Sequence, residues 1–265
     1  MGSLTVPAEP TNAILGASEY HRRRPRFLCL HGFRTSAEIM RKQVLGKWPD
    51  RVTARLDLFF ADAPFPAEGK SEVEGIFDPP YYEWFQFNKV AVSLIVDLSF
   101  DSGFTEFRNF DECLAYIEDL MIKHGPFDGL MGFSQGAALS AALPGLQAKG
   151  LALKNVPQVK NVVIIGGGKI PVPVVVEKAF DVKIKCPSLH FIGDLDFLKE
   201  PGEALLDAFV EPFVVRHSRG HTVPRLDDKS LETVLGYIDR IEKNMDEETE
   251  LSLSKCEESI EAAPC

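Results

Sequence analysis

The chain has 265 residues, 45% hydrophobic and 26% charged, with a formal net charge of −10 at pH 7; this is ample material for one large core without a metal or disulfide framework. The acidic balance argues against nucleic-acid binding, which needs a basic footprint to displace counterions from phosphates. Five scattered cysteines, Cys29, Cys113, Cys186, Cys256 and Cys265, without a Cys-x-x-Cys pair argue against a zinc site, and no apolar run reaches membrane-spanning length.

In chain order, residues 1–24 carry no apolar periodicity and are expected to form a disordered N-terminal tail. Their basic run, Arg22-Arg23-Arg24 with Arg26, reads as a solvated approach to the first strand, Arg26-Phe27-Leu28-Cys29-Leu30. After the loop His31-Gly32-Phe33-Arg34, Thr35 and Glu38 are spaced as a capping box, and Ile39, Met40, Val44 and Trp48 follow at helical spacing. A second strand around 55–60 leads to Asp62-Ala63-Pro64. From 65 to about 102, prolines and glycines break the pattern while Phe77, Tyr81, Tyr82, Trp84, Phe85 and Phe87 crowd together. Such an insertion suits either a cap or pocket wall, with Phe77, Tyr81, Trp84 and Phe85 as lining, or the core packing of a long loop. Helical periodicity over 107–121 stops at Gly125-Pro126, and a short apolar strand then meets Gly132-Phe133-Ser134-Gln135-Gly136 and a small-residue helix. Further strands are expected at 161–165, 187–192 and 213–216, and a last helix at 229–241. An acidic tail, 244–265, is expected to be disordered. Strands alternating with amphipathic stretches over 25–243 indicate one α/β domain, a mostly parallel sheet with helices on its faces.

Ser134 stands where a strand turns sharply into a helix, the Gly-x-Ser-x-Gly arrangement that pushes a hydroxyl out of the sheet. A serine hydroxyl needs a base to take its proton, and that base needs an acid to fix its tautomer. The α/β-hydrolase order of serine, acid, histidine is available at three successive strand ends: Ser134, then Gly193-Asp194-Leu195-Asp196, then Ser218-Arg219-Gly220-His221. His221 is the candidate base, with His217 in reserve; Asp196 is favoured over Asp194 as the acid, and the choice between them stays open. Oxyanion donors are expected from the backbone N–H groups of Gln135, at the helix start, and Phe33, in the loop after the first strand. His31 is expected to brace that loop, and His190 to sit in the core. Gly166-Gly167-Gly168 lacks dinucleotide or P-loop spacing, is followed by Pro171 and Pro173 instead of a helix start, and reads as a plain turn.

The motifs Leu30-His31-Gly32 with Gln43, Asp62-Ala63-Pro64, Phe127-Asp128-Gly129, the serine pentapeptide, Gly193-Asp194-Leu195-Asp196 and Gly220-His221-Thr222-Val223-Pro224 together resemble the FSH serine hydrolases over residues 25–243. The resemblance implies an α/β-hydrolase fold, a Ser134, Asp196, His221 triad, no cofactor or metal, and hydrolysis of a small-molecule acyl ester or thioester. Two segments depart from the family pattern: Phe33-Arg34-Thr35-Ser36, and Phe197-Leu198-Lys199-Glu200 in place of a Val-Pro-like continuation. The aromatic insertion points to a hydrophobic acyl group of short to medium length. A non-catalytic binding or receptor protein on the same fold is the alternative. With neither a signal peptide nor a lipidation signal, the expected location is cytoplasmic, and no membrane span is expected.

Overall fold

A computed structural model of the chain describes residues 23–87, 107–170 and 173–261. In chain order the elements are β1 (Arg26–Leu30), α1 (Ala37–Leu45), α2 (Asp50–Thr53), β2 (Asp57–Ala61), β3 (Phe65–Pro66), β4 (Tyr82–Glu83), β5 (Gln86–Phe87), β6 (Phe107–Arg108), α3 (Phe110–His124), β7 (Gly129–Phe133), α4 (Gln135–Ala148), β8 (Asn161–Ile165), α5 (Pro173–Phe180), β9 (Ser188–Gly193), α6 (Lys199–Leu206), β10 (Phe213–His217) and α7 (Asp228–Glu261).

Six strands pair in parallel in the order β10-β9-β8-β7-β1-β2. Parallel strands need crossovers that cover both faces, so each strand must be apolar on both sides. The burial follows that demand with period two. Leu28, Leu30, Leu130, Val162 and Ile164 pack with residues of α3, α4 and α5 on one face. Phe27, Cys29, Met131, Phe133, Val163 and Ile165 pack with α1 and α7 on the other. The serine helix α4 is buried at ten positions between Gln135 and Leu146, which explains its run of small residues: it lies between sheet and α5.

Several expectations are corrected. Ser36, not Thr35, caps α1, its hydroxyl accepting from Ile39 N at 3.3 Å, while Glu38 pairs with Arg41. The three glycines after β8 do lead to a helix, which opens on Pro173, a residue suited to a first helical position. The last helix continues to Glu261, so most of the 244–265 segment expected to be disordered is helical. Its acidic residues find cations on neighbouring elements: Arg55 binds Asp239 and Glu242, and Lys160 binds Glu248, while Met245 packs on the core. At the other end, Arg23 is tied to Asp128 through two hydrogen bonds of 2.6 and 2.8 Å, which moves the expected tail boundary to before residue 23. The rest of that tail (1–22), the later part of the aromatic insertion (88–106) and 262–265 lie outside the described residues. Among the described residues no helix is long and apolar enough to cross a membrane.

Candidate active site

The chain runs from β1 outward to β2 and later returns to β7 on the other side of β1. At such a reversal, the loops after the two adjacent strands diverge and open a crevice at their carboxyl ends. The loop 31–36 after β1 and the turn at Ser134 after β7 are the two lips of this crevice.

Ser134 has φ 55° and ψ −113°, a left-handed backbone that a residue with a Cβ adopts at a cost of about 1–3 kcal/mol. Two glycines make the turn possible by close approach. A Cβ on Gly132 would lie 2.1 Å from Gly136 O, and one on Gly136 would lie 2.0 Å from Leu30 O. The turn is held from the next strand by Ser134 N donating to Ile165 O at 3.0 Å. The residue after Ile165 is Gly166, whose missing side chain leaves room for the acid and base: a Cβ there would come within 3.0 Å of Asp196 Oδ2 and 3.1 Å of His221 Nδ1. Ser134, Gly166, Asp196 and His221 thereby lie together beyond the carboxyl ends of four adjacent strands, β7, β8, β9 and β10. The ring of Phe133, which precedes the serine, lies 4.9 Å from the His221 ring at 29°.

His221 Nδ1 donates to Asp196 Oδ2 at 2.9 Å and Oδ1 at 3.0 Å. The Asp196 carboxylate is buried and also accepts from Leu198 N at 2.8 Å. Burial works to raise its pKa, but the hydrogen bond and charge of His221 and the Leu198 N–H outweigh burial and hold it below the usual carboxylate value. An ionised Asp196 keeps the imidazole proton on Nδ1, which leaves Nε2 as the basic nitrogen. Asp194 is exposed and pairs with Lys199 at 3.3 Å, so of the two carboxylates Asp196 is the one at the imidazole. His217 lies at the end of β10, accepting from Arg219 N at 3.3 Å.

The other lip is fixed by side chains, of which His31 was expected from the sequence and the others were not. His31 accepts from Ala63 N at 3.0 Å through Nε2, so its Nδ1 proton donates to Gly32 O at 2.8 Å. Both nitrogens being engaged in the main chain, it braces the loop. Arg34, with φ 53°, reaches back to Glu83 Oε1 at 2.7 Å and to the carbonyls of Glu68 and Lys70, and its guanidinium lies over the Phe33 ring. The buried Gln135 side chain ties the serine turn to the segment after β4: its Oε1 accepts from Trp84 N at 3.1 Å and its Nε2 donates to Phe85 O at 2.8 Å. Lys47 donates to Thr222 Oγ1 at 2.8 Å and Val223 O at 2.7 Å, anchoring the loop that carries His221. The bracing by His31 was visible in the sequence, whereas Gly166 was marked there only as part of a glycine run that reads as a plain turn after a strand.

The four aromatic residues expected to line a pocket separate into two pairs. Trp84 and Phe85 are fully buried in the core, and the Trp84 indole donates to His31 O at 2.9 Å. They support the loop from beneath, which corrects the pocket-wall expectation for these two. Phe77 and Tyr81 sit in the loop before β4, partly buried and joined by a hydrogen bond from the Tyr81 hydroxyl to Phe77 O at 2.5 Å.

Two buried histidines predict an acid-sensitive fold. Burial lowers His31 to about 4, despite the Gly32 carbonyl and Asp62, and lowers His190 to about 3. In the unfolded chain both titrate near 6.5. Stability is therefore complete above about pH 6.5 and falls as pH drops toward these folded values, because the unfolded state alone takes up the protons; each histidine contributes a slope of up to about 1.4 kcal/mol per pH unit. Urea unfolding at pH 7.5 and 5 should show this loss, and the loss should be smaller in His190→Leu. Equal losses in both proteins would contradict the assignment.

A serine hydrolase (FSH1) family model matches residues 21–232. An Anopheles gambiae esterase is 32% identical over 216 residues, covering 80% of this chain and 75% of that protein. Esterase OVCA2 of Bos taurus is 31% identical over 211 residues, covering 75% and 89% respectively. Among solved structures, Zea mays acyl-protein thioesterase 2 superposes with a TM-score of 0.54 at 18% identity, covering 85% of this chain and 97% of that one, a likeness of fold.

Proposed function

The chain belongs to the FSH1 serine hydrolase family and is an enzyme of esterase type, and from that premise we propose that Ser134, His221 and Asp196 hydrolyse a carboxylic ester or thioester through an acyl-serine intermediate. The observation that carries this reading is the pairing of the buried Asp196 with His221 over Gly166, next in sequence to the carbonyl that holds the Ser134 turn.

In the first step the Ser134 Oγ lone pair forms a bond to the substrate carbonyl carbon, the Oγ proton passes to His221 Nε2, and the carbonyl π pair moves onto oxygen. Asp196 stabilises the imidazolium through Nδ1–H. The oxyanion is met by the backbone N–H groups of Gln135, aided by the positive end of α4, and Phe33; such donors are worth about 3–4 kcal/mol each. As the tetrahedral intermediate collapses, the bond to the leaving oxygen or sulfur breaks and that atom takes the Nε2 proton. Water then attacks the acyl carbon and gives one proton to His221. The second collapse returns that proton to Ser134 Oγ and releases the carboxylic acid.

The acyl group in this reading is hydrophobic and of short to medium length, as Phe33 and the segment around Phe77 and Tyr81 favour. With 4-nitrophenyl esters, kcat/KM is expected to rise from acetate to a maximum near four to eight carbons and then fall. Flat activity from acetate to palmitate would remove the length assignment. Cys29, Cys113 and Cys186 are free thiols, in keeping with work in a reducing compartment, the cytoplasm.

A further inference from the structure

The loop that carries Asp196 leaves two large apolar side chains in solvent, Leu195 at 78% exposure and Phe197 at 49%. Core packing accounts for neither. Leu195 holds the loop through its main chain, its N–H donating to Arg219 O at 3.2 Å, while its side chain points free of the core. Phe197 places its ring centroid 4.5 Å from that of His221, tilted by 47°. Phe133 also touches this imidazole, but is buried and belongs to the core. Phe197 therefore presents apolar surface to solvent beside the proposed base.

The reaction dictates which part of a substrate reaches that surface. When the bond from the carbonyl carbon to the leaving oxygen breaks, its electron pair stays on oxygen, which takes the proton from His221 Nε2. Proton transfer requires that oxygen to lie within hydrogen-bond reach of the imidazole. The carbon chain attached to it must emerge beside the His221 ring, where Phe197 stands, with Leu195 exposed two residues earlier on a backbone that lies against Arg219 and Gly220. We propose that Phe197 and Leu195 form an apolar shelf for the alcohol portion of the substrate, making the enzyme selective for esters of hydrophobic alcohols. The shelf is separate from the acyl side of the crevice and rests on the Ser134–His221 reading above.

Two ester series separate the sides: acetates of ethanol, butanol, hexanol and octanol, and ethyl esters of acids of matching length. The quantity is kcat/KM, which reports acylation, the step in which the alcohol leaves. For the wild type, it is expected to rise roughly threefold per added alcohol methylene until the shelf is covered. Phe197→Ala and Leu195→Ser should each flatten the alcohol series, with Phe197→Ala costing about 10–50-fold on hexyl relative to ethyl acetate. The dependence on acyl length should persist in both variants. Phe197→Leu, which keeps apolar area without the ring, should retain most of the alcohol dependence. A flat alcohol series in the wild type overturns the shelf while hydrolysis of the acyl series leaves the underlying reading intact. A uniform loss across both series in Phe197→Ala, with a shifted acid limb of the pH profile, also overturns it, since the ring would then act on the imidazole alone. No turnover of any ester removes both the reading and the shelf.

Discussion

Replacing Ser134 by alanine is expected to lower kcat on every ester by about 10⁶-fold, to the level left by binding and oxyanion contacts alone. The physical reason is that, among the described residues, the polar groups beside Ser134 are already engaged. His31 has both nitrogens in main-chain hydrogen bonds, the Asp196 carboxylate is engaged by His221 and the Leu198 N–H, and Thr35 Oγ1 donates to Gly32 O. Folding should be almost unaffected. The left-handed backbone at residue 134 costs alanine about what it costs serine, and the hydrogen bond that holds the turn comes from the main chain at Ser134 N. Saturating kinetics on a 4-nitrophenyl ester and a melting curve measure the two parts. A loss below about 100-fold with the fold intact would mean that another group attacks the substrate.

Asp196→Asn is expected to lower kcat at neutral pH by about 10⁴-fold with little change in stability. Asparagine has the shape of aspartate and its Oδ1 can still accept from Leu198 N, now at 2.8 Å, so the turn survives. The hydrogen bond to the imidazole is what changes. An amide group directed at Nδ1 donates, Nδ1 must then be the acceptor, and the proton moves to Nε2, where it blocks the lone pair that should take the serine proton. Asp194→Asn, at an exposed carboxylate paired with Lys199 across 3.3 Å, should stay within about twofold of wild type. A steady-state comparison of the two variants decides between the acids. Equal losses, or a larger loss at 194, would overturn the assignment of Asp196.

The sheet and the serine turn were legible because their determinants are local. The strand at 161–165 carries a continuous β-branched run from Val162 to Ile165, and the glycines around Ser134 are demanded by backbone contacts of 2.0–2.1 Å that no other residue permits. The order of acid and histidine was readable because each follows a strand in a loop. What stayed hidden is long-range. Whether Asp194 or Asp196 faces the histidine depends on how the loop after β9 lies against residues 219 and 220, contacts invisible in a single sequence. Gln135 was read for its backbone N–H, while its side chain ties together positions about 50 residues apart. The aromatic crowding at 84–85 carried the same signature for a wall as for a core, and burial decided for the core. The acidic stretch after 244 read as tail because its partners, such as Lys160, lie far away in the chain.

A fluorophosphonate tests the central claim most directly, because it forms a stable bond only with a serine whose proton is being removed. Incubation followed by digestion and mass spectrometry should find one adduct per chain, on the peptide that contains Ser134. The adduct should be absent from Ser134→Ala and form far more slowly in His221→Ala and Asp196→Asn. Ester turnover by a protein that carries no adduct at Ser134, or inactivation through an adduct at another residue, would contradict the account.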